Sequence, residues 1–266
     1  NDYGKRDIRD NDIANYLICI TQGFITTFAG EPGTGKTSLC NLLSRALGLS
    51  REDTNNRFTE VSVERGWTSL RDLIGYYNPL SRKMEKSNAA VYNAFATLDA
   101  EARNSVFDPK VGKSKIAPYI ILLDEANLSP IEHYWSAFFR NCDFNSISKR
   151  SISLGGNNDM MLPEQLRFLA TVNFDHTTEE LSARFLDRSW VITLEPADIE
   201  EESNDMFSRA FSDSDSEARL VVPFSALTRI FNPQEDDTLD DMLVSKWKTI
   251  QKIFASEECS LPISPR

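Results

Sequence analysis

Residues 30–37 read Gly30-Glu31-Pro32-Gly33-Thr34-Gly35-Lys36-Thr37 and fit the spacing G-x-x-x-x-G-K-[ST] completely. An apolar, β-branched stretch (FITTFA, 24–29) precedes the run. A helical pattern from about Lys36 to Leu47 follows it and stops at Gly48. A strand before and a helix after make this spacing a phosphate cradle. Gly33 and Gly35 let the backbone curl so that N–H groups face phosphate oxygens. The helix N-terminus adds positive partial charge. Lys36 is predicted to reach the β- and γ-phosphates, and Thr37 to offer its hydroxyl to Mg²⁺. The expected nucleotide-binding set is Gly30, Glu31, Pro32, Gly33, Thr34, Gly35, Lys36, Thr37 and Ser38.

Three further groups could complete a hydrolytic site. YIILLDEAN (119–127) puts Asp124 and Glu125 at the carboxyl end of an apolar strand. In a parallel sheet that edge lies beside the cradle. Asp124 would hold Mg²⁺ and Glu125 would polarise the attacking water; the plainer reading has Asp124 capping the next helix. FLATVN (168–173) ends in Asn173 on the same edge, where an amide can orient that water or simply form a turn. LSARFLDRSWVITL (181–194) carries Arg184 and Arg188 just before another strand. An arginine placed on a neighbour's γ-phosphate contributes ~10³–10⁵ in rate. A surface salt bridge to Asp187 or Glu180 would contribute ~0–1 kcal/mol.

These groups need elements that converge on one edge. Strands are expected at 24–29, 58–63, 119–123, 168–172 and 189–194, and a short helix at 13–20. Strands alternating with helices imply right-handed crossovers and a parallel sheet. The stretch from Trp67 to Pro118 is long for one crossover and must hold an extra element. Residues 145–157 look like a β-hairpin ending in Gly155-Gly156. Tyr76, Tyr77 and Asn78 could face a partner or pore, or merely pack before Pro79. Residues 198–217 are acidic and Ser-rich, as a solvated loop would be. A weak helical pattern returns at 239–256. The expected division is an α/β domain at 1–195 and a partial helical lid at 196–266, the chain reading as a piece of something longer.

Composition narrows the function class. Of 266 residues, 41% are hydrophobic, enough for a sizeable core. The net charge of −11, from 29 basic and 40 acidic residues, argues against nucleic-acid binding over the bulk of the surface. Cys19, Cys40, Cys142 and Cys259 are scattered, and with only His133 and His176 no zinc spacing exists. Free thiols and the lack of an apolar leader or span suit a cytoplasmic protein.

The four signals, in this order, resemble the AAA+ superfamily over nearly the whole chain. The finer match is to the branch with an insert in its second helix, which includes McrB-like restriction NTPases, MoxR-like ATPases and dynein-type modules. WTSLRDLIGYYNPL (67–80), LLDEANLSPIEHYWSAFF (122–139) and TVNFDHTTEELSARFLDRSWVI (171–192) look McrB-like. The resemblance implies a sheet ordered 5-1-4-3-2, a helical lid and a hexameric ring of identical subunits with sites between them. It makes Asn173 the sensor residue, Arg188 the better finger candidate, and Arg266 a counterpart of the lid's second sensor. The McrB string tied to GTP use reads close to Met-Asn-Thr-Ala-Asp; here it is Val172-Asn173-Phe174-Asp175. The nucleotide is ATP or GTP, with Mg²⁺.

The expected function is an NTPase driving or licensing a DNA-directed restriction or anti-phage complex. A separate nuclease or effector subunit would accompany it, and DNA would be met through other domains. Alternatives are a MoxR-like chaperone acting on proteins, an assembly switch with slow turnover, and a phosphate-loop kinase needing no second copy.

Overall fold

The computed structural model describes residues 10–50, 56–107, 116–142, 150–175, 178–195 and 221–231, with 242, 244–246, 248, 249 and 252 beyond them. Helix α1 (Asp10–Gln22) leads into strand β1 (Ile25–Gly30) and helix α2 (Lys36–Ala46). Strand β2 (Phe58–Ser62) follows, then a one-turn helix α3 (Leu70–Leu73) and a hairpin of β3 (Tyr76–Asn78) and β4 (Lys83–Glu85). Helix α4 (Ala89–Phe107) returns to strand β5 (Tyr119–Asp124). After α5 (Ile131–Tyr134) comes a second hairpin, β6 (Ser151–Ser153) and β7 (Asp159–Met161). Strand β8 (Leu166–Asn173), one-turn α6 (Ala183–Leu186) and strand β9 (Trp190–Thr193) precede α7 (Phe224–Phe231).

Five strands form one sheet ordered β2-β5-β8-β1-β9, every pair parallel. Counting these strands one to five along the chain, the order is the expected 5-1-4-3-2 read from the other edge. Register decides what the sheet can do. Gly30 pairs with Asn173 and Ser62 with Asp124, so the carboxyl ends lie side by side.

The central strands β5, β8 and β1 are buried along their length, their alternating side chains packing on both faces of the sheet. From β5, Tyr119, Ile121 and Leu123 pack with Val91, Ala94, Phe95 and Leu98 of α4. Their spacing of three and four places them on one stripe of that helix. Ile120 and Leu122 face the other way, onto Tyr16 and Ile20 of α1, Leu39 and Leu43 of α2 and Leu227 of α7. Trp135, Phe138 and Phe168 pack tilted or edge-to-face at the centre of the first face, with centroids 4.9–5.4 Å apart. Arg167 is buried and donates to the carbonyls of Ile20 (2.8 Å) and Thr21 (2.8 Å) at the end of α1. Burial, then the charge of Arg150, lowers its pKa to about 9.

The long crossover holds α3 and the β3–β4 hairpin besides α4. The second hairpin corrects the sequence reading. Gly155 and Gly156 lie in its turn, between β6 and β7, and do not end it. Two adjacent glycines serve a tight turn as well as a terminus, so the pair alone could not set the register. Residues 145–149 of the expected hairpin lie outside the described residues. The two hairpins touch: Tyr77 N–H donates to the Leu154 carbonyl (2.9 Å). Asn78 forms a turn, its Oδ1 accepting from Leu80 N–H (3.0 Å) and Ser81 N–H (3.3 Å). Tyr76 lies under Arg71, 5.1 Å from guanidinium carbon to ring centroid.

The chain divides into two compact units, Asn1–Asn232 and Pro233–Arg266. Helix α7 belongs to the first, where Gln22 donates to the Phe231 carbonyl (2.7 Å). The acidic 198–217 run lies outside the described residues, as does Arg266. The described positions within 239–256 are helical. Cys19, Cys40 and Cys142 are free thiols, and no described helix is long and apolar enough to cross a membrane.

Candidate active site

The phosphate loop starts where β1 ends, and two close fits shape it. A Cβ added at Gly30 would sit 2.5 Å from the Leu194 carbonyl oxygen, so only glycine lets β1 end there. Gly35 takes φ 73°, ψ 27°, the left-handed conformation that glycine adopts without strain, directly before α2. No side chain caps α2, so its first-turn N–H groups and partial positive charge face the cleft. Lys36 is buried across the loop. Its ammonium donates to the carbonyls of Gly30 (3.0 Å) and Glu31 (2.7 Å) and to Thr34 Oγ1 (3.3 Å).

The acidic end of β5 meets this loop through hydroxyls. Asp124 Oδ1 accepts from Thr37 Oγ1 (2.7 Å) and from Thr171 Oγ1 (2.7 Å). Thr171 in turn accepts from the Glu125 backbone N–H (2.8 Å). Glu125 sits at φ 53°, ψ 44°, left-handed and costly for a residue with a side chain, ~1–2 kcal/mol. Such strain clusters where a side chain must be aimed. The Glu125 side chain is exposed toward the cleft mouth. Burial, then the charges of Asp124 and Glu60, push the nearby Cys40 thiol well above its ordinary value.

A cavity of about 360 Å³ lies between these parts. Pro32, Gly33, Gly35, Lys36, Thr37 and Ser38 line it from the loop, and Asp124, Glu125, Thr171 and Asn173 from the strand ends. Gly30, Glu31 and Thr34 do not line it; they hold Lys36. Asn173 is held through its backbone. Its N–H donates to Asn127 Oδ1 (3.2 Å) and its carbonyl accepts from Asn127 Nδ2 (2.8 Å).

Arg184 and Arg188 are not among the residues lining this cavity. Both stand over the ring of Phe139, at 4.6 Å and 5.9 Å from guanidinium carbon to centroid. Arg188 pairs with Asp187 (3.3 Å) and donates to the Arg184 carbonyl (3.3 Å). Its Nε is buried without a hydrogen-bond partner. The salt bridge that the sequence offered as the plainer reading thus exists, and it uses only part of the guanidinium.

Sequence reasoning missed Thr171, Asn127 and Phe139. Thr171 had a signal: it precedes the strand-end Asn173 by two and so shares its side of the strand. Asn127 and Phe139 lie inside quoted strings but carried no signal that set them apart.

Thr37 and Asp124 suit Mg²⁺, which takes one or two protein oxygens and keeps its other positions for water and phosphate. Both are hard oxygen donors already within hydrogen-bond reach of each other.

Known proteins agree with this architecture. A solved structure of a candidate ATPase from Cytophaga hutchinsonii matches 96% of this chain and 67% of its own, with TM-score 0.59 and 20% sequence identity. At that identity the likeness concerns the fold. Among curated proteins none matches the sequence. The family described as AAA domain (dynein-related subfamily) matches residues 26–189, more than half of the chain. That span runs from the strand before the phosphate loop to the arginines before β9, and the chain belongs to this AAA family, in its dynein-related subfamily.

Proposed function

We propose that the chain hydrolyses ATP, each site being completed by an arginine from a second copy of the same chain. The observation that carries the reading is the double acceptance by Asp124 Oδ1, at 2.7 Å from both Thr37 and Thr171. It joins the phosphate loop to the strand end that bears Glu125. Lys36 and the N-terminal amides of α2 bind the triphosphate. Glu125 takes a proton from water, and Asn173 orients that water. Mg²⁺ held by Thr37 and Asp124 would neutralise phosphate charge in the transition state. Arg188 and Arg184 lie outside their own chain's cleft, which supports a role at a neighbour's γ-phosphate.

ATP is preferred over GTP because Val172-Asn173-Phe174-Asp175 departs from the string tied to GTP use. Purified protein should turn over ATP faster than GTP; the reverse order overturns the choice. Arg188→Ala mixed with Glu125→Gln should regain turnover, since some joints then have two intact halves. A monomeric kinase gains nothing from mixing.

The wider role we propose is a ring, six subunits being the family's usual number, that powers or licenses a DNA-directed complex with a separate nuclease subunit. The strings at 67–80, 122–139 and 171–192 support it. Co-purification of a nuclease supports this role, whereas a stable non-nuclease client favours protein remodelling. Turnover that stays slow with every partner favours an assembly switch.

A further inference from the structure

Asn127 is 3% exposed and lies between the two halves of the machinery. On one side its side chain forms a closed pair with the backbone of Asn173, donating to the carbonyl (2.8 Å) and accepting from the N–H (3.2 Å). On the other, the same Nδ2 donates to the Glu179 carbonyl (3.2 Å), and Glu179 N–H donates to the Asn127 carbonyl (2.8 Å). Glu179 opens the segment that leads through Ser182 to Arg184 and Arg188. That segment is short and pinned. Ser182 caps α6 by accepting from Phe185 N–H (3.3 Å), and Phe185 is fully buried. A shift at Glu179 therefore has little slack to absorb it before the arginines. Asn127 also follows Glu125 by only two residues, so the left-handed turn at Glu125 and the Asn127 amide are set together.

We infer that Asn127 is a positioning residue that locks Asn173 of one site to the segment carrying the arginines offered to the next. The inference rests on the in-trans arginine reading. Buried amides with both ends satisfied resist rotation, because any other rotamer leaves polar groups unpaired. One amide thus makes the water-facing end of a subunit's own site and its contribution to the neighbouring site a single mechanical unit.

The test mixes subunits and reads ATP turnover. Asn173→Ala with Arg188→Ala is the control. Joints built from the Arg188→Ala cleft and the Asn173→Ala arginine have two intact halves, so turnover returns. Asn127→Asp with Arg188→Ala should stay about 100-fold below that control, the size expected when a reacting group is misplaced by about 1 Å. Asn127→Asp keeps the side-chain shape and the acceptor for Asn173 N–H but removes the donor to both carbonyls. Alone it should lower kcat while KM and the affinity for a non-hydrolysable ATP analogue stay unchanged. Adding it to Asn173→Ala should cost that subunit's own site little more than Asn173→Ala does. Recovery to the control level overturns the lock. A fall in analogue affinity together with melting temperature overturns it too, by making Asn127 a general support. Failure of the control itself removes the in-trans reading and this inference with it.

Discussion

The cradle around Lys36 and the arginine segment before β9 are both cationic, yet they differ in how far each is satisfied within the chain. Lys36 has an acceptor for each of three ammonium protons within its own loop. Asp124 is likewise engaged twice through one oxygen. Arg188 has one weak ion pair to a half-exposed aspartate, one carbonyl, and an Nε left buried and unpaired. A cation made to work inside its own chain is ringed by local acceptors before any ligand arrives. Arg188 instead rests its guanidinium against an aromatic face, the Phe139 ring at 5.9 Å, and keeps donors in reserve, as the proposed service to another chain would require.

The largest break in that comparison should come from Arg188→Ala. Loss of a finger arginine should cut kcat by ~10³–10⁵, roughly 4–7 kcal/mol of transition-state stabilisation. Steady-state kinetics of the purified assembly checks it, and analogue affinity should hold. A loss under tenfold would return Arg188 to the plain surface salt bridge and shift the role to Arg184. Glu125→Gln should come next. It removes the base while keeping the shape, and general bases contribute ~10²–10⁴. Nucleotide binding measured by calorimetry should survive; unchanged turnover would unseat the catalytic assignment. Gly30→Ala attacks the cradle from below, since its Cβ would overlap the Leu194 carbonyl. Separating β1 from the end of β9 should weaken analogue binding at least about tenfold, with ~1–3 kcal/mol lost in denaturant melts. Native melting with native affinity would mean that the loop does not depend on that fit.

How well each half could be read from the sequence follows from the same difference. The cradle is one contiguous run whose glycines dictate the backbone, so the turn into α2 was legible from the spacing, though not that Gly30, Glu31 and Thr34 hold Lys36 and do not line the cavity. Asp124 and Asn173 were legible because they end apolar runs, and a parallel sheet brings strand ends together. Thr171 was not, because a threonine inside FLATVN reads as strand filler until the register sets its hydroxyl beside Asp124. Asn127 was hidden for a related reason. Its partners are backbone groups 46 and 52 residues away, and backbone groups carry no sequence signature. The Gly155-Gly156 hairpin was seen but shifted, since glycine pairs announce a turn without saying which residues flank it. The arginines could be located, and Arg188 preferred through the family resemblance, but LSARFLDRS alone does not show that both guanidinium groups lie over the Phe139 ring.

The smallest effect should sharpen the comparison most. Asp187→Asn removes the charge that pairs with Arg188 and leaves Phe139 beneath it. The pair is 3.3 Å long, with the aspartate side chain 45% exposed. Such pairs are worth ~0–1 kcal/mol, so thermal melting should shift by only a few degrees. If the Phe139 ring holds the guanidinium, turnover should stay within about twofold of the parent, because the group proposed to reach the neighbour is unchanged. A fall approaching that of Arg188→Ala would instead make Asp187 the true holder. The guanidinium would then be positioned by charge, and raising salt should depress parent turnover in step with screening of that exposed pair. A parent enzyme indifferent to moderate salt, beside a nearly silent Asp187→Asn, assigns the holding to Phe139 and leaves the arginine's own charge free for the phosphate of the next subunit.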